Sequence, residues 1–352
     1  MKKLLTLLFV AWSLTGALHA QVYPSGDWKR VEPSVHGFDA RKLDQARRFM
    51  IDSMYTTGCI IIVGGESIFQ FGDLTRLSYI ASVRKSVLAM LMGKYVEDGT
   101  INLDETVGEL IADHVIPDDV QKLMPVEKQA TIRHLITCRS GVFHDASNDG
   151  DDERKPRRGT KQPGEFFLYN NWDFNAAGAI FEGLVGRSIY EVFLDDIAIP
   201  TGMQDYKLSN QRKTGDLSLS KYPAYHFHLS TRDMARIGYL MLRDGKWEDQ
   251  QVISSAWVKE STTPVSTRRE VNAIRPSRDV FSYSYMWWNF DVDRQVPALK
   301  GAYTGWGFMG QYITIIPELD MVIAHKTDSV YARRTSFEAY YAFLRMIVNA
   351  KR

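Results

Sequence analysis

Cysteine is scarce: the 352 residues contain two, Cys59 and Cys138. Two thiols are too few for a disulfide-built scaffold or a thiolate zinc site, and no His-Glu-x-x-His supplies the other common zinc set. Neither sign of charge dominates, since 43 Lys and Arg face 42 Asp and Glu. The chain therefore offers no electrostatic footprint for nucleic acid or an anionic membrane. Internal repeats and long low-complexity stretches are absent, and past residue 20 no apolar run reaches membrane length. What remains, 45% apolar and 12% aromatic, is the composition of a soluble globular enzyme with a sizeable core, built as one large domain or two interleaved ones.

The first twenty residues stand apart. Lys2-Lys3 is followed by Leu4 to Leu14, apolar except for Thr6 and Ser13, and then by the small residues Gly16, Ala17 and Ala20. This order predicts a secretory signal over 1–20, removed from the mature chain, and a periplasmic or secreted protein. No cysteine lies near the cleavage region to carry a lipid anchor. Losing Lys2 and Lys3 leaves 41 basic against 42 acidic residues. In an oxidising compartment Cys59 and Cys138 could pair, but sequence does not say whether they are close enough.

Periodicity lays out the rest. Asp39 to Met54 reads as an amphipathic helix, Gly58 to Val63 as a buried strand, and Ser67 to Phe71 as its hairpin partner across Gly64-Gly65. Ser82 to Asp98 repeats apolar residues at three- and four-residue steps and stops at Gly99. Further helices are expected over Ile132–Cys138, Phe174–Val185, Ser188–Ile197 and, from a capping box at Ser230 and Asp233, to Leu242. Thr262 to Asp279 reads as a loop. Strands return over Tyr283–Phe290, Gln311–Ile316 and Met321–His325, before a helix over Ser336–Val348. The expected fold is α/β (α+β): an antiparallel sheet flanked by helices, built from 21–80 and 283–352. A mostly helical domain over 81–282 is inserted, and the site lies between the two.

Chemistry concentrates at Ser82-Val83-Arg84-Lys85. At the start of a helix, residues i and i+3 share a face, so the Lys85 amine can reach the Ser82 hydroxyl. An alcohol is a weak nucleophile that needs such a neighbour, and first-turn N–H groups favour developing negative charge. Ser218-Leu219-Ser220-Lys221 matches the same spacing but runs into Tyr222-Pro223, a loop. Tyr169-Asn170-Asn171 is the only Tyr-x-Asn among seventeen tyrosines. A tyrosine beside an ammonium gives up its proton more readily, and Asn171 can accept from Lys85 while donating to a carbonyl. The plainer alternative for Tyr169 is a core tyrosine capping the next helix.

Ser82-x-x-Lys85, Ser140-Gly141 and Tyr169-x-Asn171, in that order, resemble the class C β-lactamase and penicillin-binding-protein superfamily of serine hydrolases. Ile197 to Met203, Met234 to Gly238 and Gly310 to Pro317 extend the likeness over roughly residues 38–330. The resemblance implies the fold just described and an acyl-enzyme on Ser82, with Lys85 and Tyr169 relaying the proton. It implies no metal or organic cofactor.

One family element departs from the pattern. Relatives that act on β-lactams or D-alanyl peptides carry a cation on the strand facing the serine, which holds a substrate carboxylate. Here that strand reads Thr304-Gly305-Trp306-Gly307-Phe308-Met309-Gly310-Gln311, and each register puts an uncharged residue in the slot: Gly305, Trp306 or Phe308. A literal Lys213-Thr214-Gly215 lies in a polar turn too soon after Tyr169, and Lys326-Thr327 is followed by Asp328. A charge-assisted bond to a carboxylate is worth about 1.5–3 kcal/mol, so its loss disfavours β-lactamase or carboxypeptidase action. The strand is similar to that of 6-aminohexanoate-dimer hydrolases and carboxylesterase-like relatives. In those enzymes it supplies a backbone N–H, which here assigns Ser82 and Phe308 N–H to the oxyanion hole, with Trp306 and Gly307 beside the substrate.

The expected reaction is hydrolysis of a small-molecule or short-peptide amide or ester, with no nucleic-acid partner and no membrane span after signal removal. Two alternatives are a penicillin-binding D,D-peptidase or weak β-lactamase, and a catalytically idle sensor of peptidoglycan fragments. Other signals point to ordinary structure. His226 and His228 share a strand face but lack a predictable third metal ligand, and the calcium-like start at Asp145 reaches Pro156 where a bidentate Glu belongs. Tyr283, Tyr285, Trp287 and Trp288 read as core.

Overall fold

The run Gly58-Cys59-Ile60-Ile61-Ile62-Val63 lacks polar alternation because both of its faces are covered: all six residues are buried. The computed structural model describes residues 21–148, 155–272, 279–291, 296–328, 330 and 332–352. The expected signal over 1–20 lies outside them. From the N-terminus come α1 (Ala40–Ser53), β1 (Gly58–Val63), β2 (Glu66–Gly72), β3 (Ser78–Tyr79), α2 (Val83–Glu97), α3 (Val107–Ala112), α4 (Ile132–Ile136), α5 (Asn171–Val185) and α6 (Ile189–Phe193). The short strands β4 (Arg212–Thr214), β5 (Ala224–His226) and β6 (His228–Leu229) precede α7 (Thr231–Leu242), β7 (Lys246–Trp247), β8 (Gln250–Gln251), α8 (Ser255–Thr262) and α9 (Arg268–Asn272). The chain closes with β9 (Phe281–Tyr283), β10 (Trp288–Phe290), β11 (Tyr303–Gly307), β12 (Gln311–Ile316), β13 (Met321–Lys326) and α10 (Phe337–Val348).

One seven-stranded sheet, ordered β2-β1-β13-β12-β11-β10-β9, joins strands from both ends of the chain, and every pairing is antiparallel. Helices α1 and α10 pack together on one face, where Tyr340 of α10 stacks on Tyr312 at 3.6 Å. Helix α7 covers the other face along β1, β12 and β13. It comes so close that a Cβ on Gly238 would lie 2.4 Å from Val322. The expected helical stretch 81–282 thus also contributes a helix to the sheet layer. Helix α2 lies against β11 on the α7 side and carries the first motif into the interface.

Three expectations differ. Tyr283–Phe290 is not one strand but the hairpin β9–β10, with Trp288 opposite Tyr283. The chain reverses at Met286, whose φ is 59°. That turn is held by Met286 N–H donating to the Ile136 carbonyl at 3.1 Å and by Ser86 Oγ donating to the Met286 carbonyl at 2.7 Å. Ser230 caps α7 by accepting from Asp233 N–H at 3.2 Å, but the reciprocal half of the box is missing. The Asp233 carboxylate accepts from Gln204 and Asp205 N–H instead. The expected loop 262–279 includes α9, which the Thr267 hydroxyl and Glu270 carboxylate cap. Cys59 and Cys138 are both buried and unpaired, so no disulfide joins them.

Candidate active site

Ser82 opens α2 with helical backbone angles, and the residue before it, Ala81, has φ 49°. A side chain in the left-handed region costs roughly 1–3 kcal/mol, a strain that concentrates at functional sites. Ser82 remains half-buried while Lys85, one turn on, is 1% exposed. The Lys85 ammonium donates to Ser82 Oγ at 3.0 Å, to the Tyr169 oxygen at 2.7 Å and to Asn171 Oδ1 at 2.6 Å. An ammonium has three N–H groups, and three oxygens stand ready to accept them. Its charge also sits 4.2 Å from the ring centres of both Tyr169 and Phe174.

The second and third positions are set by the segments around α5. Asn170 caps that helix, accepting from Trp172 N–H, and its amide donates to the Val142 carbonyl at 3.0 Å. Ser140 Oγ donates to Asp173 Oδ1 at 2.7 Å and accepts from Val142 N–H at 3.0 Å. Burial holds the Asp173 carboxyl well above the ordinary carboxylate range. Ser140 therefore ties the Gly141 turn to α5. Gly141 has φ 73°, and a Cβ there would lie 3.0 Å from the Lys161 carbonyl. Tyr169 is walled by Phe174, Trp288 and Tyr283, with ring centres at 4.9, 5.3 and 6.1 Å. The sequence marks Phe174 only as the start of a helix and Tyr283 and Trp288 as core. Only their spacing from Tyr169 in space, which periodicity does not carry, links them to the site.

On the facing strand the alternation decides which residues look at Ser82. A Cβ on Gly305 would meet Ser86 Oγ at 3.0 Å and Val83 at 3.4 Å. One on Gly307 would meet the Ile80 carbonyl at 2.4 Å and Ala81 Cβ at 3.1 Å. Both side-chain positions facing α2 are therefore filled by hydrogen alone. Trp306 points to the opposite face, 4.9 Å from Phe337 of α10 and 5.5 Å from Trp288, which places it away from the Ser82 hydroxyl. Phe308 begins the turn, and its side chain is 65% exposed. The turn is braced from behind: His325 Nδ1 lies 2.8 Å from the Gly310 carbonyl, and Thr335 N–H donates to the Met309 carbonyl at 3.1 Å.

The alternative cations are occupied elsewhere. Lys213 sits on β4 and pairs with Glu182. Lys326 is buried and donates to the Ser78 and Leu229 carbonyls. Ser218 is exposed in a turn and its hydroxyl donates to Asp216 Oδ1 at 2.6 Å, so the second Ser-x-x-Lys opens no helix and lies in a loop. His226 and His228 pack on Tyr79, and among the described residues no group of three or more His, Cys, Asp or Glu gathers for a metal. Asp145 pairs with Lys155 at 2.6 Å; the acidic run after Asn148 lies outside the described residues.

Comparison with known proteins places the fold. A Bacillus anthracis protein described as a 6-aminohexanoate-dimer hydrolase superposes with a TM-score of 0.67, at 18% identity, over 94% of this chain and 87% of its own. EstCE1, a hydrolase with promiscuous acyltransferase activity, gives 0.62 at 16% identity over 88% and 97%. A class C β-lactamase gives 0.64 at 13% identity over 88% and 95%. These likenesses establish the shared fold. The Beta-lactamase family model matches residues 74–344, more than half of the sequence and every motif named above, and the chain belongs to that family.

Proposed function

We propose that this protein is an exported serine hydrolase that cleaves an amide or ester through an acyl-enzyme on Ser82. The observation that carries the reading is the single Lys85 ammonium bonded to Ser82 Oγ, the Tyr169 oxygen and Asn171 Oδ1. Ser82 Oγ attacks the carbonyl carbon while its proton passes to the Tyr169 oxygen, where the Lys85 charge stabilises a phenolate before transfer. The tetrahedral oxyanion sits between the Ser82 and Phe308 N–H groups; among the described residues, neither donates to a backbone carbonyl. Collapse breaks the bond to the leaving amine or alcohol, which takes the proton back. Water then adds to the acyl carbon by the same relay, releasing the acid and restoring Ser82. Asn171 orients the acyl group. Export follows from the signal-like first twenty residues.

The empty side-chain positions at Gly305 and Gly307 favour this reading over a β-lactamase or D,D-peptidase, which would hold a carboxylate there. Release of p-nitrophenol from short acyl esters tests it. Turnover is expected in the wild type and absent in Ser82→Ala, with the thermal melt unchanged. Equal hydrolysis by both proteins would remove Ser82 as nucleophile, and no hydrolysis by either would point to the idle sensor.

A further inference from the structure

A cavity of about 340 Å³ opens beside the strand that leads into the nucleophile. It is lined by Tyr79 and Arg76 from the β3 side, Arg212 of β4, His226 and His228, and Asp328 beyond β13. That volume falls in the range of small-molecule sites. Its charge does not balance. The one acid, Asp328, is already held by Arg76 at 2.8 Å. Arg212 stands opposite His226 in the β4–β5 register, and the Tyr190 hydroxyl fixes its backbone by donating to the Arg212 carbonyl at 2.6 Å. Among the described residues, no carboxylate pairs with Arg212 or with Arg84. Arg84 is 1% exposed and donates to the neutral amide of Asn175. Burial first, then the charges of Arg84, His228 and Arg212, hold His226 down to about 4. Burial, Arg212 and Lys326 do the same to His228. Tyr79 packs against both imidazoles, with ring centres at 5.0 and 5.8 Å.

A cavity with surplus positive charge and no acid to spare is suited to an anion. We propose that it binds a carboxylate or phosphate group through Arg212 with His226 and His228. Two residues, Ile80 and Ala81, separate Tyr79 from Ser82, so three steps along the chain span at most about 11 Å. A substrate acylating Ser82 can therefore place a terminal carboxylate in the cavity, which would take over the task left vacant at Gly305 and Gly307. Anion binding itself does not depend on Ser82 being the nucleophile; only the substrate role rests on that reading.

Titration with inorganic phosphate and with acetate, following the His226 and His228 imidazole resonances at constant ionic strength, tests the site. Saturable shifts are expected in the wild type, lost in Arg212→Gln and recovered in Arg212→Lys, with melts confirming that each variant is folded. His228→Gln provides a second loss. Shifts no larger than those from sodium chloride would overturn the proposal. Turnover of the mono-p-nitrophenyl ester of adipic acid against p-nitrophenyl hexanoate then separates the sources. If the substrate's own carboxylate is the ligand, Arg212→Gln reduces the preference for the charged ester by about 10- to 150-fold. Phosphate binding without any such preference assigns the site to a free anion. Phosphate binding in a wild type that hydrolyses neither ester would leave the anion site standing and sink the hydrolase reading.

Discussion

Gly307 lies so close to Ile80 that a methyl group on it would sit 2.4 Å from the Ile80 carbonyl oxygen, with Ala81 Cβ at 3.1 Å. The strand is therefore pressed against the strained backbone that aims Ser82. Gly307→Ala must push β11 away from that backbone, at a cost of about 1–3 kcal/mol in stability. The Phe308 N–H moves with it, so kcat for ester hydrolysis falls more than KM rises. Gly305→Ala comes no nearer than 3.0 Å to Ser86 Oγ, against 2.4 Å to backbone at Gly307, and its loss in both melt and rate is expected to be smaller. Equal effects at the two glycines would break the link between this contact and the oxyanion hole.

Tyr169 combines two tasks that substitution separates. Its ring packs on Phe174 and Trp288, and its oxygen meets Lys85 at 2.7 Å. Tyr169→Phe keeps the ring, so the melting temperature should hold while kcat drops by about 10²–10⁴, the usual cost of losing a general base. Lys85→Ala removes the shared partner of all three oxygens and is expected to be nearly as inactive as Ser82→Ala. A Tyr169→Phe protein with wild-type kcat would hand the proton to another group.

How far sequence reaches is clear from particular residues. Ser82, Lys85, Tyr169 and Asn171 were legible because a helix start and a short Tyr-x-Asn fix their chemistry locally, and β1 because both of its faces are apolar. The reversal at Met286 was not legible: no Gly or Pro marks it, and the bonds that hold it come from Ile136 and Ser86, far away in the chain. Trp306 was ambiguous for a related reason. One residue of register moves a side chain from the α2 face to the α10 face, and only the paired strand settles which. The cationic cavity drew on Arg76, Arg212, the two histidines and Asp328, which no spacing rule joins.

Asp173 ties its site to pH. Burial raises its carboxyl well above the ordinary value of about 3.9. A group whose folded pKa is raised adds stability below its unfolded pKa and loses it as pH rises toward the folded one. Above pH of about 4, then, wild-type Asp173 weighs against folding. Asp173→Asn keeps an acceptor for the Ser140 hydroxyl and never ionises. It should melt higher than wild type at pH 7, with the difference closing toward pH 4. A difference that stays constant with pH would mean that Asp173 carries no raised pKa.

Helix α5 begins beside a second buried cluster. Asp119 Oδ2 accepts from Trp172 Nε1 at 2.6 Å, and His144 lies 3.9 Å from Asp119 and 3.3 Å from Glu127. Arg158 completes it, 2.6 Å from Glu127. Burial opposes the charge on each member, yet the hydrogen bonds outweigh it. Glu127 falls to about 2, Asp119 also falls below the carboxylate range, and His144 rises above the imidazole value. The two carboxylates add stability above their unfolded pKa of about 4 and lose it as pH falls toward 2. His144 adds stability fully below about 6.5 and loses it as pH rises through its folded value. The cluster is thus strongest between about pH 4 and 6.5. Glu127→Gln leaves Arg158 without its carboxylate and His144 with Asp119 alone, so a loss of roughly 3–5 kcal/mol is expected near pH 6. Because Trp172 follows Asn171 directly, the same variant should lower ester turnover below the temperature at which it melts. Melting curves from pH 3 to 9 check the window: a variant whose stability parallels wild type at every pH would show that the cluster is not linked to folding.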